Sequence, residues 1–357
     1  GSRRSATSVQ KQSKESREGW RLLGAMVRAA QPMNPVSAKF CAFEARLPKL
    51  KHDLESLPAR RANYDAFVKG FPAAPGITTI DIRVPNGNLD VPCRLYWTGG
   101  MANPVPRPVV IYFHGGGHTI GSVAGYDNFC RSLCAAAGVQ VLSVDYRLCP
   151  ENKHPAGVED CFKVLRWVVD GHGSSYGLDG SRVALAGDSA GGHAVAVVCL
   201  MARDDGIADR IRFALALVPE LDNRPSARDA ATDPEASIVA YQKGYILTRE
   251  DVAFFTTCGF ADTDRDVYDW RGSPIAGNLS GLPKMYLISA GYDPLRDEAE
   301  AFARLAKAAG SPVDHECQED EFHVWFLVGD MPQAREAVAR FGRMLREGVG
   351  LPPRSRL

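Results

Sequence analysis

Several things are missing from this 357-residue chain, and each absence closes off a class of function. Neither charge is in excess: 42 Lys and Arg balance 42 Asp and Glu, so no long-range field gathers nucleic acid or an anionic membrane surface. No apolar run approaches the roughly 18 residues of a membrane span, and the best N-terminal stretch, 22–27, is too short for a signal-peptide core. That argues against stable membrane insertion and for a cytoplasmic setting. A dense disulfide framework is also missing, because the nine cysteines are odd in number and scattered, as reduced thiols are. Cys130 and Cys134 share helical spacing with Leu133 and Ala137, which reads as a buried helix face, not a metal or redox pair. Internal repeats and low-complexity tracts are absent too. What remains is a chain built to meet a small molecule without a cofactor, its oligomeric state unread and a homodimer left open.

The rest is an ordinary globular composition, 45% apolar and 24% charged, in a chain long enough for a large core. Residues 1–19 are polar, basic-leaning and without hydrophobic period, which predicts a disordered lead-in. Residues 20–70 have a helical pattern broken by prolines and read as an N-terminal cap segment. From residue 77 the period shortens to two. Segments 77–84 and 91–97 alternate around Pro85-Asn86-Gly87-Asn88, a hairpin signature. Apolar runs at 109–113, 139–144, 183–186, 213–218, 285–289 and 313–317 then alternate with helical stretches near 124–137, 158–170, 190–203, 297–309 and 332–347. This order predicts an α/β fold with a largely parallel sheet of about eight strands covered by helices, its core at 71–223 and 273–357. The interval 224–272 carries aromatics but no strand signal, and Thr248 three residues before Asp251 marks a capping-box helix start. It reads as a cap insertion that joins residues 20–70 over the strand ends, where ligands bind in such sheets.

Two short motifs carry the chemistry. Gly187-Asp188-Ser189-Ala190-Gly191 lies between the buried strand 183–186 and an apolar helix, so Ser189 sits on a sharp strand-to-helix turn that lifts its hydroxyl above the sheet. Gly173-Ser174-Ser175-Tyr176-Gly177 has the same spacing, but no strand feeds it and Ser175 reads as a turn residue. The second motif is His114-Gly115-Gly116-Gly117 after the strand 109–113. No G-K-[ST] follows, so a phosphate cradle is disfavoured. Its amides can instead receive the negative charge of a tetrahedral acyl intermediate: Gly115 and Gly116, with Ala190 after the serine, are the expected oxyanion-hole donors.

A serine hydroxyl needs a base, and the base needs a carboxylate to hold its tautomer. Asp293 follows the strand 285–289 directly and is the expected acid, whereas Asp297 opens a helix and reads as a cap. His323, beyond the strand 313–317 and an acidic loop at 319–321, is the expected base. His315 lies within a strand as an edge or surface residue, and His193 lies in the elbow helix, facing the packed interior.

With these motifs the chain resembles the hormone-sensitive-lipase-like branch of the α/β-hydrolase carboxylesterases over about residues 75–357. Asp145-Tyr146-Arg147-Leu148-Cys149-Pro150-Glu151 and Asp293-Pro294-Leu295-Arg296-Asp297 extend the likeness. The resemblance implies Ser189 as nucleophile, Asp293 as acid, His323 as base, a helical cap, and structural roles for Asp145, Arg147 and Glu151. It therefore implies a serine carboxylesterase acting on a small to medium ester through an acyl-enzyme. The same machinery could serve acyl transfer or lactone formation, and related plant hormone receptors keep the fold without turnover, though they lack the histidine. Three positions depart from the family pattern: Cys149 replaces alanine, His118 replaces an aromatic, and Val324-Trp325 follows His323 where glycine is common. Their expected effect is on pocket shape, with His118 either near the substrate or bonded to backbone.

Overall fold

Alternation of apolar runs becomes one eight-stranded sheet in the computed structural model, which describes residues 32–46, 49–87, 89–99, 106–225, 236–243 and 245–354. The lead-in at 1–19, the start of the N-terminal helical segment and part of the insertion at 226–235 lie outside the described residues. Strands β1 (Ile77–Val84) and β2 (Val91–Thr98) form the antiparallel hairpin that the turn sequence predicts, in register from Ile77 opposite Thr98 to Val84 opposite Val91. The other strands are β3 (Arg107–Phe113), β4 (Gln140–Val144), β5 (Leu178–Asp188), β6 (Ile211–Leu217), β7 (Met285–Tyr292) and β8 (Val313–Phe322). Their order is β1-β2-β4-β3-β5-β6-β7-β8. Pairing from β4 through β3 to β8 is parallel, and β2 pairs with β4 antiparallel.

Helices α1 (Pro35–Glu44) and α2 (Leu57–Lys69) precede the sheet, and α3 (Asp127–Ala137), α4 (Ala156–Val169) and α5 (Ala190–Asp204) fall among its strands. Later come α6 (Arg249–Gly259), α7 (Arg296–Ala308) and α8 (Pro332–Gly348). A strand's period of two sends alternate side chains to opposite faces. In β3, Val109, Ile111 and Phe113 enter the core shared with α4, α5 and α7, while Val110 and Tyr112 enter the one shared with α3 and α8. Both faces are thus buried, as the nearly continuous apolar runs require, and each fully buried Val, Leu or Phe contributes roughly 1.5–3 kcal/mol. Cys130 and Cys134 are part of the second core.

Two strands run longer than their apolar runs predict. β5 starts at Leu178, and β8 continues to Phe322 through the acidic stretch expected as a loop. Pairing with β7 brackets that stretch, with Ala290 opposite Gln318 and, after a register shift, Tyr292 opposite Phe322. Acidic side chains along β8 find partners: Glu316 pairs with Arg340 and accepts from Tyr286 Oη, and Glu321 accepts from Ser37 Oγ at 2.5 Å.

The helical stretches before and within the sheet meet at Asp251. Thr248 and Asp251 form the predicted capping box, and Asp251 Oδ1 also lies 2.8 Å from His52 Nε2 and 3.2 Å from Arg60 Nη1. Arg61 of α2 reaches Glu151 in a two-pronged pair at 2.7 Å and donates to the Cys149 carbonyl at 2.9 Å. Arg147 pairs with buried Asp160 at 2.7 Å, and Asp145 Oδ1 accepts from the Val123 amide at 3.1 Å. These charge-assisted bonds anchor the loops beside the glycine turn.

Candidate active site

β5 ends at Asp188, Ser189 takes φ 54° and ψ −119°, and α5 opens at Ala190. A positive φ at a non-glycine residue stores strain and persists only where surroundings enforce it. Enforcement comes from close approach: a Cβ on Gly191 would lie 2.0 Å from the Phe113 carbonyl oxygen, and one on Gly187 2.5 Å from that of Gly191. No side chain fits either position.

The candidate acid and base are delivered by neighbouring strands. Tyr292 and Phe322 are partners in the β7–β8 register, so the residues that follow them, Asp293 and His323, leave the sheet side by side. His323 Nδ1 lies 2.7 Å from Asp293 Oδ2, and His323 Nε2 lies 3.0 Å from Ser189 Oγ. A carboxylate only accepts, so Nδ1 carries the hydrogen and Nε2 is left to accept from the serine hydroxyl. The second Asp293 oxygen accepts from the Leu295 amide at 2.9 Å. All three side chains are buried or nearly so, which strengthens each of these bonds.

The other candidates are elsewhere. Asp297 accepts from the Ser237 amide and pairs with Arg296; His315 of edge strand β8 lies 2.8 Å from Ser289 Oγ; Ser175 is exposed in a single 3₁₀ turn. His193 is buried on α5, as expected, but its Nδ1 lies 3.0 Å from His118 Nε2, so the loop histidine bonds to an imidazole and not to backbone. Burial first, then the neighbouring His193 and His114, holds His118 well below the ordinary imidazole value and therefore neutral.

The glycine turn corrects one expectation. The Gly115 amide donates to Asp188 Oδ1 at 3.1 Å and to Tyr126 Oη at 3.2 Å, so it is committed within the protein and not available to an oxyanion. Among the described residues none accepts from the amides of Gly116, Gly117 and Ala190. Gly117, missed in the sequence, thus replaces Gly115 as a candidate donor. Asp188 is the reason. Its carboxyl is fully buried and also accepts from Tyr112 Oη at 2.5 Å and Tyr126 Oη at 2.7 Å, and Tyr126 in turn meets Tyr64 of α2 at 2.7 Å. Burial pushes the Asp188 carboxyl above its ordinary range and the tyrosine bonds oppose that shift. An acidic residue inside a buried turn was the available signal, since such a group must find donors. Nothing in the local sequence pointed to the tyrosines.

Among the described residues no cluster of three or more His, Cys, Asp or Glu is arranged to hold a metal ion, and no helix is long and apolar enough to cross a membrane. The geometry is that of a nucleophile elbow served by an acid–base pair and a turn of open amides, on a sheet with strands parallel from β4 to β8. Comparison with known proteins agrees with it. A family described by the alpha/beta hydrolase fold matches residues 110–327, and the chain belongs to that family, in its hormone-sensitive-lipase-like branch. The carboxylic ester hydrolase LipN of Mycobacterium tuberculosis is 37% identical over 73% of this chain and 68% of its own length. The esterase LipI of the same organism is 35% identical over 75% and 82%. The solved hyperthermophilic esterase of Pyrobaculum calidifontis superposes with a TM-score of 0.78 at 30% identity, covering 89% of this chain and 99% of that one. Its relatives are thus ester hydrolases.

Proposed function

We propose that this protein is a serine carboxylesterase that hydrolyses a small to medium carboxylic ester through an acyl-enzyme. The observation that carries the reading is the unbroken path from Ser189 Oγ to His323 Nε2 at 3.0 Å and from His323 Nδ1 to Asp293 at 2.7 Å. In the first half-reaction Ser189 Oγ attacks the ester carbonyl carbon while its proton passes to His323 Nε2. The resulting oxyanion is received by the amides of Gly116, Gly117 and Ala190, which need no reorganisation because the turn already holds them. His323 then gives the proton to the alcohol oxygen as the C–O bond breaks. Water repeats the sequence on the acyl-enzyme, and Asp293 stabilises the imidazolium in both halves. The segments 20–70 and 224–272 serve as the cap, with Phe255 of α6 against the glycine turn, where a Cβ on Gly117 would meet its ring at 2.2 Å. That the nine cysteines form no disulfide suits a reducing, cytoplasmic setting.

A panel of 4-nitrophenyl esters of increasing acyl length, run with the wild type and Ser189→Ala, tests the reading. Turnover of the shorter esters and a fall in kcat on the order of 10⁶-fold in the variant are expected. Absence of turnover across the whole panel would overturn it.

A further inference from the structure

A small pocket adjoins the oxyanion turn and the elbow, and no triad residue lines it. Its walls include His118, His154, His193 and Glu220, and it is closed on the cap side by Phe255 and Phe260. It adjoins the nucleophile: Gly117 lines it, and the Ser189 carbonyl accepts from the His193 amide at 3.0 Å and the Glu220 amide at 3.3 Å. Apolar esters need no such wall. Three imidazoles brought this close, with His118 and His193 bonded at 3.0 Å and the His154 and His193 ring centres 5.9 Å apart, are costly to bury unless their nitrogens are used. His154 Nε2 is buried and has no hydrogen-bond partner among the described residues.

Resting on the esterase reading, we propose that this pocket is a specificity subsite that takes one neutral, hydroxyl-sized hydrogen-bonding group of the ester substrate. Size follows from the free space, ≈ 20 Å³, which admits a single water-sized group. The chemical class follows from the imidazoles. Burial holds His118 well below the ordinary imidazole value and His154 down at about 3, so both are neutral near pH 7. A neutral imidazole presents one donor and one acceptor, which a hydroxyl matches and an ammonium, a donor only, does not. A carboxylate would find no lysine or arginine on these walls. His118 and His154 act on substrate choice, leaving proton transfer to the triad.

Two ester pairs in which a hydroxyl replaces a methyl test this, one for each half of the ester. They are 4-nitrophenyl hydroxyacetate against 4-nitrophenyl propanoate, and 2-hydroxyethyl acetate against propyl acetate, followed by acid release. The quantity read is the kcat/KM ratio of hydroxyl to methyl ester, in the wild type and in His118→Phe. The intrinsic reactivities of the two esters cancel in that comparison. Replacement of the imidazole by phenyl should lower the ratio at least about tenfold in one pair, because a site built to bond a hydroxyl then greets it with apolar surface. His154→Phe should move the same pair in the same direction, and His118→Gln should retain most of the preference. If His118→Phe does not fold, His154→Phe decides. Ratios within about twofold of wild type in both pairs, with the methyl esters still hydrolysed, would refute the subsite and leave the esterase intact. A wild type that hydrolyses none of the four esters would instead remove the esterase reading and this one with it.

Discussion

Replacing Asp188 by Asn isolates what the buried carboxylate does for the glycine turn and tests the oxyanion role proposed for it. Asp188 accepts from three donors, Tyr112 Oη at 2.5 Å, Tyr126 Oη at 2.7 Å and the Gly115 amide at 3.1 Å. Truncation to alanine would strand Tyr112 Oη at about 1–3 kcal/mol, leave Gly115 and Tyr126 with only their bonds to one another and to Tyr64, and open a cavity, so the amide is the informative change. In Asp188→Asn the remaining oxygen can still face Tyr112 and Gly115, but those bonds pass from charge-assisted to neutral and weaken by about 1 kcal/mol each. The new amide nitrogen faces the Tyr126 hydroxyl, which must turn toward Tyr64, and one amide hydrogen is left over, costing a further ~1–3 kcal/mol. Relief of the buried charge offsets part of this, because burial already pushes the Asp188 carboxyl upward. A net destabilisation of about 2–3 kcal/mol is expected, read from urea denaturation. Looser anchoring of Gly115 misaligns the Gly116 and Gly117 amides by a fraction of the ~2.7–4 kcal/mol that a whole oxyanion donor supplies. Steady-state hydrolysis of 4-nitrophenyl acetate should therefore show kcat falling roughly 10–100-fold with KM within about threefold. A variant that loses stability but keeps kcat within about twofold would refute the coupling and reduce Asp188 to a structural residue.

Three further outcomes follow from the same geometry. Asp293→Asn keeps the shape of the site but lets His323 adopt the wrong tautomer, so kcat should fall on the order of 10⁴-fold with little change in melting temperature; a loss under about tenfold would mean that the carboxylate does not orient the base. Glu321 is pushed up to about 7, first by burial and then by Asp320, against an ordinary 4.5. The unfolded chain releases that proton first, so the stability it contributes is complete below about pH 4.5 and lost as pH rises through about 7, and Glu321→Gln should flatten the melting temperature over that interval. His154, pushed down to about 3, runs the other way: below about pH 6.5 the unfolded chain binds a proton that the native state refuses, so stability falls toward pH 3. Calorimetry at pH 7, 6 and 5 should show a shallower decline in His154→Phe than in the wild type.

Much of this protein is local, and what is local was legible in its residues. Strand and helix periods, the hairpin turn, the Thr248–Asp251 cap and the elbow around Ser189 depend on side chains within a few positions of one another, where sterics and hydrogen-bond reach act directly. Asp293 and His323 rank above Asp297, His193 and His315 as candidates for a related reason, because the end of a parallel strand is where a sheet presents side chains to a ligand, and the structure brings these two together beside Ser189. Other features arise from partners far apart in the chain. The acidic stretch 319–321 reads as a loop by polarity, yet it is carried within β8 because the residues on either side, Gln318 and Phe322, pair with β7 across a register shift. Gly115 and Gly117 are alike in the sequence; which amide is free was decided by a carboxyl 73 residues away that claims Gly115. The meeting of His118 with His193, 75 residues apart, turned a loop histidine into part of a pocket wall. A sequence states which groups exist and which faces they share within one element, but the direction of a hydrogen bond between elements is settled only when tertiary packing brings donor and acceptor together and removes water from both.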